Sequence, residues 1–204
     1  VAVELDSYGF PVTSGIFETI KTVDGAPIAL ARHMRRVVTS AKELSISIPD
    51  EESIRRKLSE VLAAENFPVG RLRLSFAENI FHISHSAYEE LQEPARLNFF
   101  SESVAGSIHK KFPYNDRFAI LESARDEGFD DSILFNAKNE ITETAVANLA
   151  FRINNSWVTP PISAGLLPGV VRAVAIEECG IAVRAIHVSE VPEIQSGFML
   201  SSLR

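Results

Sequence analysis

The chain has 204 residues, 46% hydrophobic and 23% charged, with a formal net charge of −7. A chain of this length can bury roughly 70% of its unfolded surface, enough for one large core or two modest ones. The acidic balance argues against nucleic acid as a partner, since affinity for a phosphate backbone comes from clustered Lys and Arg.

No apolar run reaches the ~20 residues of a membrane helix, so no bilayer span is expected. The opening residues, Val1 to Asp6, lack the basic-then-apolar pattern of a signal peptide. One cysteine, Cys179, excludes an internal disulfide and fits a cytoplasmic location; its helical surroundings suggest a small core residue. His33, His82, His85, His109 and His187 are scattered without metal-ligand spacing, so no metal site is expected.

In chain order, Phe17 to Val23 alternates like a strand, and Asp24-Gly25 is a hairpin turn into Ala26 to Ala29. A helix is predicted from about Leu30 to Leu44, with Leu30, Met34, Val37, Val38, Ala41 and Leu44 on one stripe. Pro49 to Ser53 opens a second helix whose buried face is Ile54, Leu58, Val61 and Leu62. Strands follow at Leu72 to Phe76, Ile80 to Ser84 and Arg96 to Phe100. The small polar run Ser101 to Ser107 reads as a linker. Beyond it, a helix covers Asn115 to Glu127 and ends at Gly128. Strands are predicted at Asp131 to Asn136, Glu140 to Thr144, Asn148 to Ile153 and Trp157 to Thr159. A helix then runs from Val170 to Cys179, stopped by Gly180. Ala182 to His187 and Phe198 to Ser201 are the last expected strands. The order is that of an α+β protein: a small domain at 1–100, a linker at 101–108 and a second domain at 109–204.

Three features carry chemistry. Ile141 to Phe151 alternates at strand period but places a carboxylate, Glu143, where burial is expected, which is costly unless something cationic meets it. A lone acid of this kind is ordinarily a strand-end residue leaning into solvent. Lys110 and Lys111 lie some thirty residues earlier, and by themselves are surface lysines before a helix. Gly169-Val170-Val171 follows Pro168 and starts a helix, a place where backbone N–H groups receive phosphate, although ordinary capped helices share the pattern. Together these are the groups that pyridoxal phosphate needs. The cofactor takes an amine to condense with its aldehyde, an acid to keep its ring nitrogen protonated, and a positive helix end for its phosphate. Only an acid supplies the middle requirement, because a shift of about three pKa units corresponds to ~4 kcal/mol against ~1 for a neutral hydrogen bond.

The chain also resembles the class IV fold of pyridoxal-phosphate enzymes, which includes branched-chain and D-amino-acid aminotransferases and aminodeoxychorismate lyase. The similar segments are Gly15 to Ile20, His33 to Arg36, His109-Lys110 with Tyr114, Ile141 to Thr144 with Asn148-Leu149, and Leu167 to Arg172. The resemblance implies a two-domain fold, with a small N-terminal α/β domain and a larger mixed-sheet domain that holds the cofactor. It selects Lys110 as the Schiff-base lysine and gives Tyr114 the ring oxygen and Glu143 the ring nitrogen. It makes Arg36, by its position alone a solvated helix charge, a phosphate clamp. The helix start at Gly169, Val170 and Val171 would be joined by a second phosphate-binding turn at Ser201 and Ser202.

The chain departs from that pattern at Val171, where the family usually has Thr, and in Pro11 to Ser14, which lacks the usual aromatic and acidic residues. Asn79 to His85 lacks the arginine that related enzymes use for a substrate carboxylate. Relatives usually continue a few residues beyond Arg204. The spelling of His109-Lys110 with Tyr114 and of Phe17-Glu18-Thr19 is nearer the lyase branch. That branch converts 4-amino-4-deoxychorismate to 4-aminobenzoate and pyruvate for folate precursor synthesis. A class IV aminotransferase using the same lysine is the alternative, and a lapsed binding protein on this fold the second. A small amino-acid-like substrate and a homodimer are also implied.

Overall fold

The first hairpin turns where backbone chemistry allows. Strand β1 (Gly15–Val23) reverses into β2 (Ala26–Pro27) through Asp24 and Gly25, both at positive φ (47° and 77°). A two-residue turn that matches the twist of the flanking strands needs that sign at both positions, and glycine meets it without steric cost. The computed structural model describes residues 3–91 and 93–203; Val1 and Ala2 of the expected leaderless start, Gln92, and the terminal Arg204 lie outside the described residues.

Helix α1 (Leu30–Glu43) follows, then α2 (Glu51–Ala64), whose N-cap Asp50 accepts from Ser53 N at 2.8 Å. A cap of this kind is worth ~1 kcal/mol. The hydrogen bonds from Ser53 hold the Asp50 carboxyl below its usual value. Next come β3 (Val69–Ala77), β4 (Ile80–Ala87), β5 (Leu97–Phe99), β6 (Lys111–Phe112) and α3 (Asn115–Asp126). The remainder is β7 (Asp131–Phe135), β8 (Ile141–Thr144), β9 (Asn148–Ile153), β10 (Ser156–Thr159), α4 (Val170–Cys179), β11 (Ala182–Val183) and β12 (Ile194–Leu200).

Tertiary contacts divide the chain into two units, one of residues up to 90 with 109–114 and 203, the other of 91–108 with 115–202. The segment 101–108 groups with the second unit.

In the first unit the sheet order is β2-β1-β3-β4, with β6 also paired to β1. Residues opposite each other in an antiparallel pair share a face. One face buries Ile16, Ile20, Leu72, Leu74 and Phe76 against Val37 and Ala41 of α1 and Ile54 and Leu58 of α2. Each large apolar side chain buried there contributes ~1.5–3 kcal/mol. The register pairs Phe17 with Ser75, Thr19 with Arg73, and Ser75 with His82, so those residues occupy the other face.

In the second unit the order is β11-β10-β9-β8-β7-β5, with β12 laid against β9. Ile133, Ile141, Leu149, Phe151, Ile153, Val158 and Ile186 form its main core. Helix α3 covers a smaller cluster of Ile120, Leu121, Leu134 and Ala145.

Several expectations are corrected. Val38 is 53% exposed rather than part of the α1 stripe, because Val37 and Ala41 already fill the contact with the sheet. Cys179 is exposed at the last turn of α4, not in the core. The strand expected from Ala182 to His187 stops at Val183, and residues 188–193 form a 3₁₀ turn that starts with a capping box between His187 and Glu190. The last strand begins at Ile194, four residues before Phe198. Among the described residues no helix is long and apolar enough to cross a membrane.

Candidate active site

In the first unit, β6 brings Lys110 alongside β1, where Phe17 N donates to Lys110 O at 2.9 Å. The Lys110 Nζ lies 4.6 Å from the Phe17 ring centroid and 5.3 Å from that of Tyr114, and the two rings meet edge to face at 5.2 Å. Lys111 is exposed, whereas Lys110 and Tyr114 are half-buried. The two lysines that the sequence leaves equivalent therefore differ in surroundings. Aromatic faces hold one amine by cation–π attraction while limiting its hydration. A lysine held that way is a better candidate for loss of its proton to a base than one in open water. The neighbouring His109 reaches α1, with Nδ1 3.1 Å from Ser40 Oγ and Nε2 3.4 Å from Glu43.

Arg36 is not a solvated helix charge. Its side chain is 12% exposed and grips Glu18 side-on, Nε to Oε1 at 2.7 Å and Nη2 to Oε2 at 2.6 Å. His33 Nδ1 lies 2.7 Å from Oε2 of the same acid. Burial by itself would raise the Glu18 carboxyl, but the hydrogen bonds and charges of His33 and Arg36 outweigh it and hold the group below its usual 4.5. The sequence analysis passed over Glu18. The signal that singled out Glu143, an acid inside strand alternation, applies to it equally.

In the second unit Glu143 is 6% exposed and meets a cradle of donors. Arg117, from the first turns of α3, gives Nη2 to Oε1 at 2.9 Å. The Asn148 amide and the Leu167 backbone N–H both reach Oε2 at 3.1 Å. Asn148 Nδ2 also donates to Leu167 O at 3.0 Å, and two acceptors on one side determine which way the amide points. The cation that burial of Glu143 requires is thus Arg117, a residue that α3 supplies and sequence reading missed. Buried Asp131 fastens the end of β8, accepting from Ala145 N at 3.1 Å and Thr144 Oγ1 at 2.8 Å.

Gly169 is the N-cap of α4, with no side-chain cap, and Val170 is buried beside half-buried Val171. A Cβ on Gly169 would fall 1.9 Å from Asn148 Oδ1, so the loop approaches β9 too closely for any larger residue. Arg172 is buried, with Nε on Thr159 Oγ1 at 3.1 Å and Nη2 on Pro160 O at 2.7 Å, and burial lowers its pKa. Ser201 and Ser202 are half-buried in the bend and turn after β12. Lys110, Tyr114 and Arg36 thus belong to the first unit, and Glu143, Gly169, Val170, Val171, Ser201 and Ser202 to the second.

A buried carboxylate in a cradle of three donors, a lysine between aromatic rings and an open helix start are the donor set of a pyridoxal-phosphate enzyme. The family description amino-transferase class IV matches residues 15–204, and the chain belongs to that family of pyridoxal-phosphate-dependent enzymes. It is similar to a provisionally named aminodeoxychorismate lyase of Schizosaccharomyces pombe, 29% identical over 177 residues, covering 82% of this chain and 75% of that protein. Aminodeoxychorismate lyase of Bacillus subtilis is 24% identical over 194 residues, covering 83% of this chain and 66% of the relative. Among solved structures, a provisionally named amino-acid aminotransferase of Mesorhizobium loti superposes with a TM-score of 0.84 at 25% identity, covering 94% of this chain and 96% of that one. The chain spans roughly two thirds to three quarters of the two curated relatives' lengths.

Proposed function

We propose that this chain is a pyridoxal-phosphate-dependent lyase that converts 4-amino-4-deoxychorismate to 4-aminobenzoate and pyruvate, with Lys110 as the cofactor-bearing amine. The observation that carries the reading is the half-buried Lys110 amine over the Phe17 and Tyr114 rings, in a chain of this family. The residues suit the cofactor: Glu143 would hold the ring nitrogen, and Tyr114 the ring oxygen. Arg36 would hold the phosphate with the backbone of Gly169, Val170 and Val171 and the turn at Ser201 and Ser202. When bound, the cofactor supplies an electron sink at the carbon bearing the substrate amine.

Lys110, once released to the substrate amine, takes the proton from that carbon. The C–O bond at the neighbouring ring carbon then breaks, and the departing enol takes up a proton as pyruvate. Glu143 stays ionised beside Arg117, so it accepts a hydrogen bond rather than giving one. Arg36 already spends two nitrogens on Glu18, so any phosphate it holds shares the guanidinium with that acid.

The lyase is placed first because the two relatives above carry that name. An aminotransferase is the second reading, favoured by the likeness to the Mesorhizobium loti structure and to a Methanocaldococcus jannaschii protein provisionally named as a branched-chain-amino-acid aminotransferase, 24% identical over 197 residues. A cytoplasmic homodimer acting on a small amino-acid-like substrate completes the proposal.

The test is a visible spectrum of the chain with added pyridoxal phosphate, borohydride trapping to locate the modified lysine, and assay with aminodeoxychorismate. Trapping at Lys110 with release of pyruvate is expected. A colourless protein, or a label on Lys111, overturns the assignment. Turnover of an amino acid with a keto acid, and no pyruvate from aminodeoxychorismate, favours the aminotransferase. Sedimentation at the monomer mass would remove the dimer.

A further inference from the structure

On the face of the first unit's sheet that turns away from α1 and α2, three buried polar atoms have no hydrogen-bond partner: Arg73 Nε, Ser75 Oγ and His82 Nε2. They are neighbours by register. Ser75 stands opposite His82 on β4, and Arg73 is two residues along β3 on the same face. Cross-strand partners have Cβ atoms about 5 Å apart and same-face residues along one strand about 7 Å, so the three groups can converge on one small ligand. Unpaired buried polar groups are rare, because each carries its full desolvation cost. Three on one patch call for a common partner.

The chemistry of the patch selects an anion. The one hydrogen bond of Arg73 among the described residues runs from Nη1 to Tyr8 O at 2.6 Å, which leaves its Nε/Nη2 edge without a protein acceptor. Arg36, by contrast, presents that same edge to the carboxylate of Glu18. The fork of a guanidinium matches a planar carboxylate oxygen for oxygen. The Phe10 ring lies 4.3 Å from Arg73 Cζ and backs the guanidinium with an apolar surface. Burial and the like charge of Arg71 bring Arg73 down to about 10, with the charge of Asp6 opposing them, so it remains cationic at neutral pH. Burial, then the charge of Lys57, lowers His82, which as the neutral Nε2–H tautomer donates without adding charge.

Position relates the patch to the lysine. The Phe17 ring centroid is 5.9 Å from Arg73 Cζ and 4.6 Å from Lys110 Nζ, and Phe17 is the β1 partner of Ser75. One ring separates the anion-binding edge from the amine.

We propose that Arg73, Ser75 and His82 form a carboxylate-binding site that takes the carboxylate of the amino-acid-like substrate, in place of the arginine missing from Asn79 to His85. That the carboxylate belongs to the substrate rests on the function proposed above; the presence of the site does not.

The test is calorimetric titration of the full chain with pyruvate at constant ionic strength, with and without added pyridoxal phosphate, for wild type, Arg73→Lys, Arg73→Gln, Ser75→Ala and His82→Gln. Saturable pyruvate binding is expected in wild type. A hydrogen bond to a charged group corresponds to about a 10–100-fold effect, so Arg73→Gln should weaken binding by that factor, and Ser75→Ala and His82→Gln by less. Ser75→Ala removes a hydroxyl with no protein partner, so it keeps the proposal testable if Arg73→Gln does not fold. The visible spectrum with cofactor should be unchanged in all four variants, and KM for a carboxylate substrate should rise with kcat nearly constant. No saturable binding by wild type, binding of inorganic phosphate in preference to pyruvate, or wild-type pyruvate affinity in Ser75→Ala, His82→Gln and Arg73→Lys together overturns the site. Pyruvate binding sensitive to these variants in a protein that takes up no cofactor supports the site and sinks the function proposed above instead.

Discussion

Asn148 binds Glu143 and Leu167 through a single amide nitrogen, at 3.1 Å to the Glu143 carboxylate and 3.0 Å to the Leu167 carbonyl. The acid in β8 and the loop that opens α4 are therefore fastened to each other within the second unit. Two features read separately in the sequence, a strand carboxylate and a helix start, are one rigid assembly.

Asn148→Ala removes both bonds and leaves Leu167 O buried without a donor, which should cost ~1–3 kcal/mol. Asn148→Asp should cost more, because it sets a second carboxylate against Glu143. Urea unfolding of both variants checks the order. If Asn148→Asp proves as stable as wild type, the amide is not the link described.

Gly169→Ala brings a Cβ to 1.9 Å from Asn148 Oδ1, a contact no side chain tolerates without movement. Destabilisation by about 1–3 kcal/mol is expected, from overpacking that displaces the start of α4. The double change Gly169→Ala with Asn148→Gly should recover part of the helix-start geometry, and a double-mutant cycle of the two should show coupling rather than additivity.

Glu18→Gln breaks a buried ion pair and strands Arg36, at an expected cost of about 3–5 kcal/mol near neutral pH. The carboxyl is held below its usual 4.5 in the folded chain, so the unfolded chain binds the proton more readily. The stabilisation is therefore fully present above the unfolded value of about 4.5 and disappears as pH falls through the lower folded value. Denaturation curves for wild type and Glu18→Gln should converge on acidification below that point. Parallel curves from pH 7 to pH 3 would show that the pair contributes nothing.

Cys179 should react with a thiol reagent in the folded state, because it is exposed at the end of α4. Cys179→Ser should change stability by no more than about 0.5 kcal/mol, as for other surface substitutions. Labelling seen only after unfolding would restore the core assignment.

Much of the architecture is legible from local pattern. The stripe of α1, the Asp50 cap of α2, the turns at Asp24-Gly25 and Asn154-Asn155, and the Gly180 stop of α4 each follow from residues close together in the chain. Glu143 and Gly169 are legible too, since an acid amid apolar alternation and a glycine before a helix are local signals. What the order of residues determined was the set of elements and the family they belong to. Only the tertiary structure decided the partners: Arg117 for Glu143, Glu18 for Arg36, and the Arg73, Ser75 and His82 patch on one sheet face. The reason is range. Periodicity reports which face a residue takes on its own element. An ion pair across 26 residues, or a register that sets Ser75 opposite His82, exists only after strands and helices have come together.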